Sequence, residues 1–328
     1  MKAISVSHLR KYFKIYRKPP GILASVRSIF IRKTQEIKAV DDISFAIDQG
    51  ELVGFIGPNG AGKTTTLKCL SGLLYPSTGS IKVFGFTPFE RKKEFLKQIS
   101  LVMGQKNQLW WDLPAMETFR LNKEIYEIEE KAFQKTLAEL SGLLEIENLL
   151  TVPVRQLSLG QRMKMELVAA LLHRPKVLFL DEPTIGLDVV MQKKVRDFIA
   201  EYNRQYSSTI LLTSHYMTDV KQLCRRLIII DHGRIVYDGD FKNLVMKYAN
   251  FKIITVLFKE RNLDKDKLAK IGQIKEIDLP KVVFAVPVAQ ATSIAARILQ
   301  NLPVEDLNIE EPEIEEVIRL VFSKKKYG

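Results

Sequence analysis

Gly50-Glu51-Leu52-Val53-Gly54-Phe55-Ile56-Gly57-Pro58-Asn59-Gly60-Ala61-Gly62-Lys63-Thr64-Thr65 is the stretch that decides the fold. Leu52 to Ile56 is an apolar run of strand length, buried on both faces. From Gly57 the chain matches G-x-x-x-x-G-K-[ST] at every fixed position, and Thr65 to Leu74 reads as a helix behind the loop. Gly57, Gly60 and Gly62 let the backbone wrap phosphate groups so that several N–H groups converge on them. The start of the helix adds partial positive charge. Lys63 can reach β- and γ-phosphates, and the Thr64 hydroxyl can ligate Mg²⁺. Strand, glycine loop and helix in this order is the context such a motif requires.

Further along, Val177-Leu178-Phe179-Leu180-Asp181-Glu182-Pro183 is a second buried strand, ending in two acids. It delivers Asp181 to the carboxyl edge of a sheet, where ligands of open α/β sheets bind. Asp181 is expected to hold Mg²⁺, and Glu182 to act as the general base that orients an attacking water. Ser208 to Ser214 and Arg226 to Asp231 are two more apolar strands, and His232-Gly233 is a turn before Arg234 to Tyr237. Ala3 to Leu9 and Ile43 to Ile47 alternate like edge strands. Strands interleaved with helices predict an α/β core with parallel strands. Residues from about 90 to 165 read as mostly helical, with Trp110-Trp111 in a loop near their start.

After about residue 245 the texture changes. Phe251 to Phe258 reads as a strand, Leu263 to Ile271 as a helix and Ile274 to Val288 as two strands. Ala289 to Leu302 is a helix, Val304 to Ile309 a strand and Glu313 to Phe322 a last helix. That βαββαβ order predicts a small ferredoxin-like α+β domain. It holds no catalytic cluster, so interaction or regulation is its expected role.

Composition narrows the class. No window approaches the roughly 20 apolar residues that span a bilayer, and Met1-Lys2-Ala3-Ile4 runs into a strand without a signal-peptide core. Cys69 and Cys224 lack the spacing of a metal site and read as buried small hydrophobes. The net charge is +12, and most of it lies in residues 1–40, where Glu36 is the only acid. Such a block suits an anionic lipid surface or nucleic acid, and equally a solvated face. Within it Ile22, Leu23, Val26, Ile29 and Phe30 share one helical face beside Arg27, Arg32 and Lys33. This basic amphipathic segment, 19–33, fits a membrane surface, a partner, or the domain's own surface.

Phosphate loop, then Leu157-Ser158-Leu159-Gly160-Gln161, then the Asp181-Glu182 strand: this order resembles the ATP-binding cassette of ABC transporters, over roughly residues 1–240. The resemblance implies a P-loop NTPase cassette with a helical subdomain. On that basis the chain divides into a nucleotide-binding domain, 1–244, and a C-terminal accessory domain, 245–328. It implies that Leu157 to Gln161 contact ATP held by a second cassette. Leu159 stands where the family most often has glycine, while Ser158, Gly160 and Gln161 keep the γ-phosphate contacts. Gln105 resembles the family's glutamine loop, sensing Mg²⁺ and water. Asp188, in Pro183 to Asp188, resembles the D-loop residue facing the opposite cassette, and His215 the switch histidine on the γ-phosphate. Phe13, with Tyr12 as the alternative, takes the place of the aromatic that stacks on adenine. Gly57 to Thr65 hold ATP. The stretch Gln105 to Pro114, with its tryptophan pair, resembles exporter cassettes whose permease is a separate chain.

The implied protein is an export ATPase subunit on the cytoplasmic face of the cell membrane. Its partners would be a second cassette, identical or homologous, and integral-membrane permease subunits. Nucleic acid is not an expected partner. Translation-factor relatives carry two cassettes in one chain, chromosome-maintenance relatives a long coiled coil, and repair relatives cysteine pairs, and none of these features appears. A catalytically dead regulator would not retain Lys63, Gln105, Asp181, Glu182 and His215 together.

Overall fold

A computed structural model describes residues 1–16, 34–260, 268 and 271–323. The amphipathic segment 19–33 lies outside the described residues, as does most of the helix expected over Leu263 to Ile271. The chain forms two compact units, Met1–Asp238 and Gly239–Gly328. The break falls a little before the expected 244/245. Helix α8 (Phe241–Tyr248) packs against the last helix, α10 (Ile314–Ser323), and so belongs to the second unit.

The first unit has two sheets. The larger has six strands in the order β5 (Ile99–Met103), β6 (Val177–Asp181), β7 (Thr209–Thr213), β3 (Leu52–Ile56), β8 (Arg226–Asp231), β9 (Arg234–Asp240). Strands β5 to β8 run parallel. β3, β6 and β7 are buried at every position, as expected of parallel strands covered on both faces. The smaller sheet is antiparallel, in the order β2 (Thr34–Asp48), β1 (Lys2–Tyr16), β4 (Thr78–Val83). Both outer pairings extend well beyond the short alternating runs visible in sequence.

The two sheets share one core. Ile4, Val6, Leu9, Ile43, Phe45 and Ile47 of the small sheet meet Phe55, Phe179, Leu211 and Ile228 of the large one, with Leu67 and Leu70 of α1 (Lys63–Leu70) between them. Each such fully buried side chain contributes about 1.5–3 kcal/mol relative to exposure. That packing fixes α1, and with it the loop before it.

The stretch expected to be mostly helical begins instead with the short helix α2 (Lys93–Leu96) and the edge strand β5. Ile99-Ser100-Leu101-Val102-Met103 is too short for a stable helix and pairs along its whole length with β6. The helical part is α3 (Ala115–Tyr126), α4 (Glu130–Leu144) and α5 (Leu159–Leu171). After β6 the chain continues through α6 (Val189–Tyr206) and, after β7, α7 (Met217–Leu223).

In the second unit, β10 (Phe251–Phe258), β11 (Gln273–Asp278), β12 (Lys281–Pro287) and β13 (Val304–Glu310) form an antiparallel sheet in the order β11-β12-β10-β13. This is the strand order of a ferredoxin-like split βαβ pair, as the element order predicts. Ile254, Val256, Val282 and Phe284 pack on Ile294 and Ile298 of α9 (Ala291–Asn301), on one face of the sheet.

Candidate functional site

The phosphate loop hangs from the end of β3 and is shaped by close contacts that only glycine permits. A Cβ on Gly57 would lie 2.1 Å from the Ile230 carbonyl oxygen of β8. Gly62 has φ +110°, and a Cβ there would lie 2.4 Å from the Ala39 oxygen. Ala61 N donates to Pro58 O at 3.1 Å, closing the turn. Helix α1 starts at Lys63, so first-turn N–H groups lack helical acceptors and face the loop's concave side. Lys63 is buried, and its Nζ folds back to donate to Gly57 O at 2.7 Å and Pro58 O at 3.1 Å. Burial lowers its pKa, while Glu182 and Asp181 act in the opposite direction.

Three parallel strands deliver the remaining groups at their carboxyl ends. Asp181 ends β6, and its Oδ2 accepts from Thr64 Oγ1 at 2.8 Å. Its Oδ1 accepts from Thr213 Oγ1, at the end of β7, at 2.7 Å. Glu182 follows with φ 56°, a left-handed conformation uncommon for a residue with a Cβ. Its N–H is anchored on Thr213 O and Thr213 Oγ1, both at 3.1 Å. The Glu182 carboxylate is held on both oxygens: His215 Nε2 lies 2.7 Å from Oε1, and Gln105 Nε2 donates to Oε2 at 3.3 Å. A cavity of about 120 Å³ opens between Thr64, Met103, Gln105, Lys106, Asp181 and Glu182. Among the described residues no cluster of three His, Cys, Asp or Glu could cage a metal. Mg²⁺ bound through one carboxylate, a hydroxyl and substrate phosphates needs no such cage, and the oxygens of Thr64 and Asp181 fit it.

Phe13 and Lys11 share one side of β1, with Lys11 Nζ 5.1 Å from the ring centroid. Tyr12 is otherwise engaged: its hydroxyl donates to Asp41 Oδ1 at 2.5 Å, and Asp41 also takes Arg234. Cys69 and Cys224 are buried, and burial pushes the Cys69 thiol up to about 11.

The pentapeptide Leu157 to Gln161 forms the tip of α5. Ser158 caps the helix: its Oγ accepts from Gln161 N at 3.2 Å, and Gln161 Oε1 accepts from Ser158 N at 2.9 Å. No hydrogen bond among the described residues joins Ser158 or Gln161 to Lys63, Thr64, Asp181 or Glu182. Asp188 caps α6 through Met191 N at 2.9 Å and is followed by the exposed pair Val189 and Val190.

Two site residues escaped the sequence reading. Thr213 ties Asp181 and Glu182 together. Asp219, in α7, is fully buried and accepts from Thr184 Oγ1 at 2.5 Å, Ser214 Oγ at 2.8 Å and Arg196 Nη1 at 2.7 Å. It thereby links the turn after Glu182 to the residue before His215. The signal for Thr213 was its position at a strand end beside His215; Asp219 lies one helical turn beyond that histidine.

A cradle of N–H groups, a lysine, a hydroxyl–carboxylate pair and a steered glutamate on one sheet edge define a P-loop nucleoside-triphosphatase. Comparison with known proteins narrows this class. The family described as ABC transporter matches residues 40–185, and an EvrA-like ABC transporter C-terminal domain matches residues 250–310. The chain is 34% identical over 215 residues to the ABC transporter ATP-binding protein NatA of Bacillus subtilis, covering 66% of this chain and 87% of that protein. It is 35% identical to the bacitracin transport ATP-binding protein BcrA of Bacillus licheniformis, covering 66% of this chain and 70% of that one. It is 32% identical to the Nod factor export ATP-binding protein I of Burkholderia orbicola, over 73% and 78%. A solved ATP-binding subunit of an ABC transporter superposes with a TM-score of 0.62 at 24% identity, over 82% of this chain and 98% of that one. A dimeric cassette bound to ADP and Pi gives 0.60 at 22% identity, over 72% and 98%. The chain belongs to the ABC transporter ATP-binding family: it is an ATP-binding ATPase subunit of that type.

Proposed function

We propose that two cassettes, both copies of this chain or one a close homologue, close head to tail around two MgATP, and that hydrolysis drives export through separate membrane permease subunits. One observation carries this reading. The Glu182 carboxylate is oriented by His215 and Gln105 over the chain's own phosphate loop, while Ser158 and Gln161 form a helix tip whose hydrogen bonds, among the described residues, stay within it. One ATP site is thus built up to its γ-phosphate end, and the helix tip supplies positive N-terminal dipole for the phosphates of a facing site. Exposed Val189 and Val190, beside Asp188, offer apolar surface for the facing cassette.

Within each site, loop N–H groups and Lys63 bind the phosphates and Phe13 stacks on the base. Thr64 and Asp181 would hold Mg²⁺, with Gln105 beside them; when bound, the ion neutralises charge on the β- and γ-phosphate oxygens. Glu182 orients the attacking water, and His215 donates first to Glu182 and then to the γ-phosphate. Positioning and electrostatics supply most of the rate.

Export and a separate permease are supported by the relatives, two of whose names specify transport or export. No helix among the described residues is long and apolar enough to cross a membrane. Trp110, Trp111 and Leu113 are 49%, 50% and 40% exposed. Trp110 also lines a groove of about 470 Å³, where Leu121 and Phe133 stand among Glu117, Arg120, Lys123, Glu124 and Glu130, and this mixed surface is the proposed seat of a permease helix. The decisive experiment is light scattering of the Glu182→Gln chain with and without MgATP. A nucleotide-dependent doubling of mass is expected; a monomer at saturating MgATP would overturn the head-to-tail reading.

A further inference from the structure

Glu166 is a carboxylate with no role in the ATP site, yet it is 3% exposed in the middle of α5. Its Oε1 accepts from Gln108 N at 2.8 Å and Leu109 N at 3.3 Å. Its Oε2 is buried without a partner. Burial pushes the carboxyl up, against the two backbone donors and Arg162 one turn away. A half-satisfied buried acid is costly, and a leucine would fill the space more cheaply. What it gains is a grip on one short loop. Among the described residues, Glu166 alone hydrogen-bonds α5 to residues 104–113.

That loop has two ends with different work. At one end Gln105 donates to Glu182 in the chain's own ATP site. At the other stand Trp110 and Trp111, half exposed. Gln108 also anchors the loop to β5, its Nε2 donating to Leu101 O at 2.8 Å. Past the tryptophans, Arg155 N donates to Trp111 O at 2.9 Å and Val154 N to Leu113 O at 3.0 Å. Those residues lead directly into Leu157 to Gln161 at the tip of α5. The loop and the pentapeptide are therefore joined twice, through the 154–155 backbone and through Glu166.

We propose that Glu166 is a positioning residue that couples the two half-sites of this chain: it clamps the loop carrying Gln105 to the helix carrying Ser158 and Gln161. Occupancy of the chain's own site, felt at Gln105, then moves the tip of α5 offered to the facing site, and the tryptophan pair moves with it. The inference rests on the head-to-tail reading above. It adds the residue that transmits between the sites and the surface on which the transmission appears.

Trp110 and Trp111 are the only tryptophans in the chain, so tryptophan emission, excited at wavelengths that spare the ten tyrosines, reports this loop alone. The test compares the full chain with Glu166→Leu, which removes the acceptor at similar volume, and Gln108→Pro, which deletes the stronger N–H donor from the loop side. Glu166→Gln serves as the conservative control that keeps an acceptor oxygen. Three quantities are read: MgATP affinity, the MgATP-induced change in tryptophan emission, and the MgATP concentration needed for dimerisation in a Glu182→Gln background. For Glu166→Leu and Gln108→Pro the affinity of the isolated chain is expected to stay unchanged. The emission change should be lost, and dimerisation should need about tenfold more MgATP, an ordinary size for a coupling between sites. Glu166→Gln should restore most of both. Wild-type emission changes and dimerisation in either disruptive variant would overturn the role of Glu166. A Glu182→Gln parent that fails to dimerise with Glu166 intact would instead overturn the head-to-tail reading and the coupling built on it.

Discussion

His215 Nε2 stands 2.7 Å from Glu182 Oε1, so the ring carries its proton on Nε2 and donates it to the carboxylate. Gln105 holds the other oxygen. A glutamate fixed on both sides, and strained in its backbone at φ 56°, supports the proposed role of orienting water. Glu182→Gln keeps the shape and one acceptor but removes the base. Turnover should fall by about 10²–10⁴-fold, the range for loss of general acid–base assistance, with MgATP affinity retained. A steady-state phosphate-release assay checks this, and near wild-type turnover would remove Glu182 from the role of base.

Thr213 offers a sharper test of the site's architecture, because it touches no nucleotide-binding group except through Asp181 and Glu182. Its hydroxyl donates to Asp181 Oδ1 and accepts from Glu182 N. Thr213→Val keeps the volume and leaves two buried polar groups short of a partner, at a cost of about 1–3 kcal/mol in stability. Turnover should fall about tenfold as Glu182 N keeps only the Thr213 carbonyl of its two acceptors and Asp181 loses the hydroxyl donor, a change of little more than 1 kcal/mol at the transition state. Thr213→Ser should recover both properties. Urea denaturation and steady-state kinetics on the three proteins decide the matter.

The contrast between Thr213 and Lys63 shows what was legible in the sequence. Lys63, Thr64, Asp181 and Glu182 sit in local patterns, a glycine loop before a helix and an apolar strand ending in acids. Their chemistry follows from neighbours along the chain. Thr213, Asp219 and Glu166 act chiefly on partners distant in sequence, and the place of Thr213 at a strand end beside His215 is the one local sign of it. Strand β5 is hidden in a helical stretch because five residues, four of them apolar, carry no period of their own; the pairing with β6 decides it. The small C-terminal sheet was legible because its elements are short, well punctuated and locally alternating. The extent of β1 and β2 was not, because their outer pairs, such as Phe13 with Ile37, lack a buried face to impose alternation.

Phe13 and Tyr12 can be separated by binding. Tyr12 is tied to Asp41, which Arg234 also holds, whereas the ring of Phe13, 36% exposed, lies beside Lys11. Phe13→Ala should weaken MgATP binding about tenfold, within the 1–3 kcal/mol range for base stacking on an aromatic. Tyr12→Phe, which keeps a ring and loses only the hydroxyl, should leave affinity unchanged. A larger effect from Tyr12→Ala than from Phe13→Ala would transfer the stacking role to Tyr12.

His173 carries the clearest dependence of stability on pH. Its ring stacks on Tyr126 at 3.8 Å, and its Nε2 lies 3.0 Å from the Ile99 carbonyl oxygen, so Nε2–H donates. Nδ1 is buried with no hydrogen-bond partner among the described residues, so protonation there would bury an uncompensated charge. Burial accordingly holds the imidazole at about 4, down from the usual 6.5. Above 6.5 neither the folded nor the unfolded chain protonates this ring, and its contribution is complete. Between 6.5 and about 4 only the unfolded chain takes up the proton, so stability falls as pH falls. From pH 7 to pH 5 the loss from this one group is about 2 kcal/mol. His173→Phe keeps the stacking and cannot titrate. It should be less stable at pH 7 for want of the Ile99 hydrogen bond, yet lose about 2 kcal/mol less than the wild type on moving to pH 5. Urea midpoints at the two pH values measure the difference; equal pH slopes in the two proteins would show that the ring titrates normally in the folded chain.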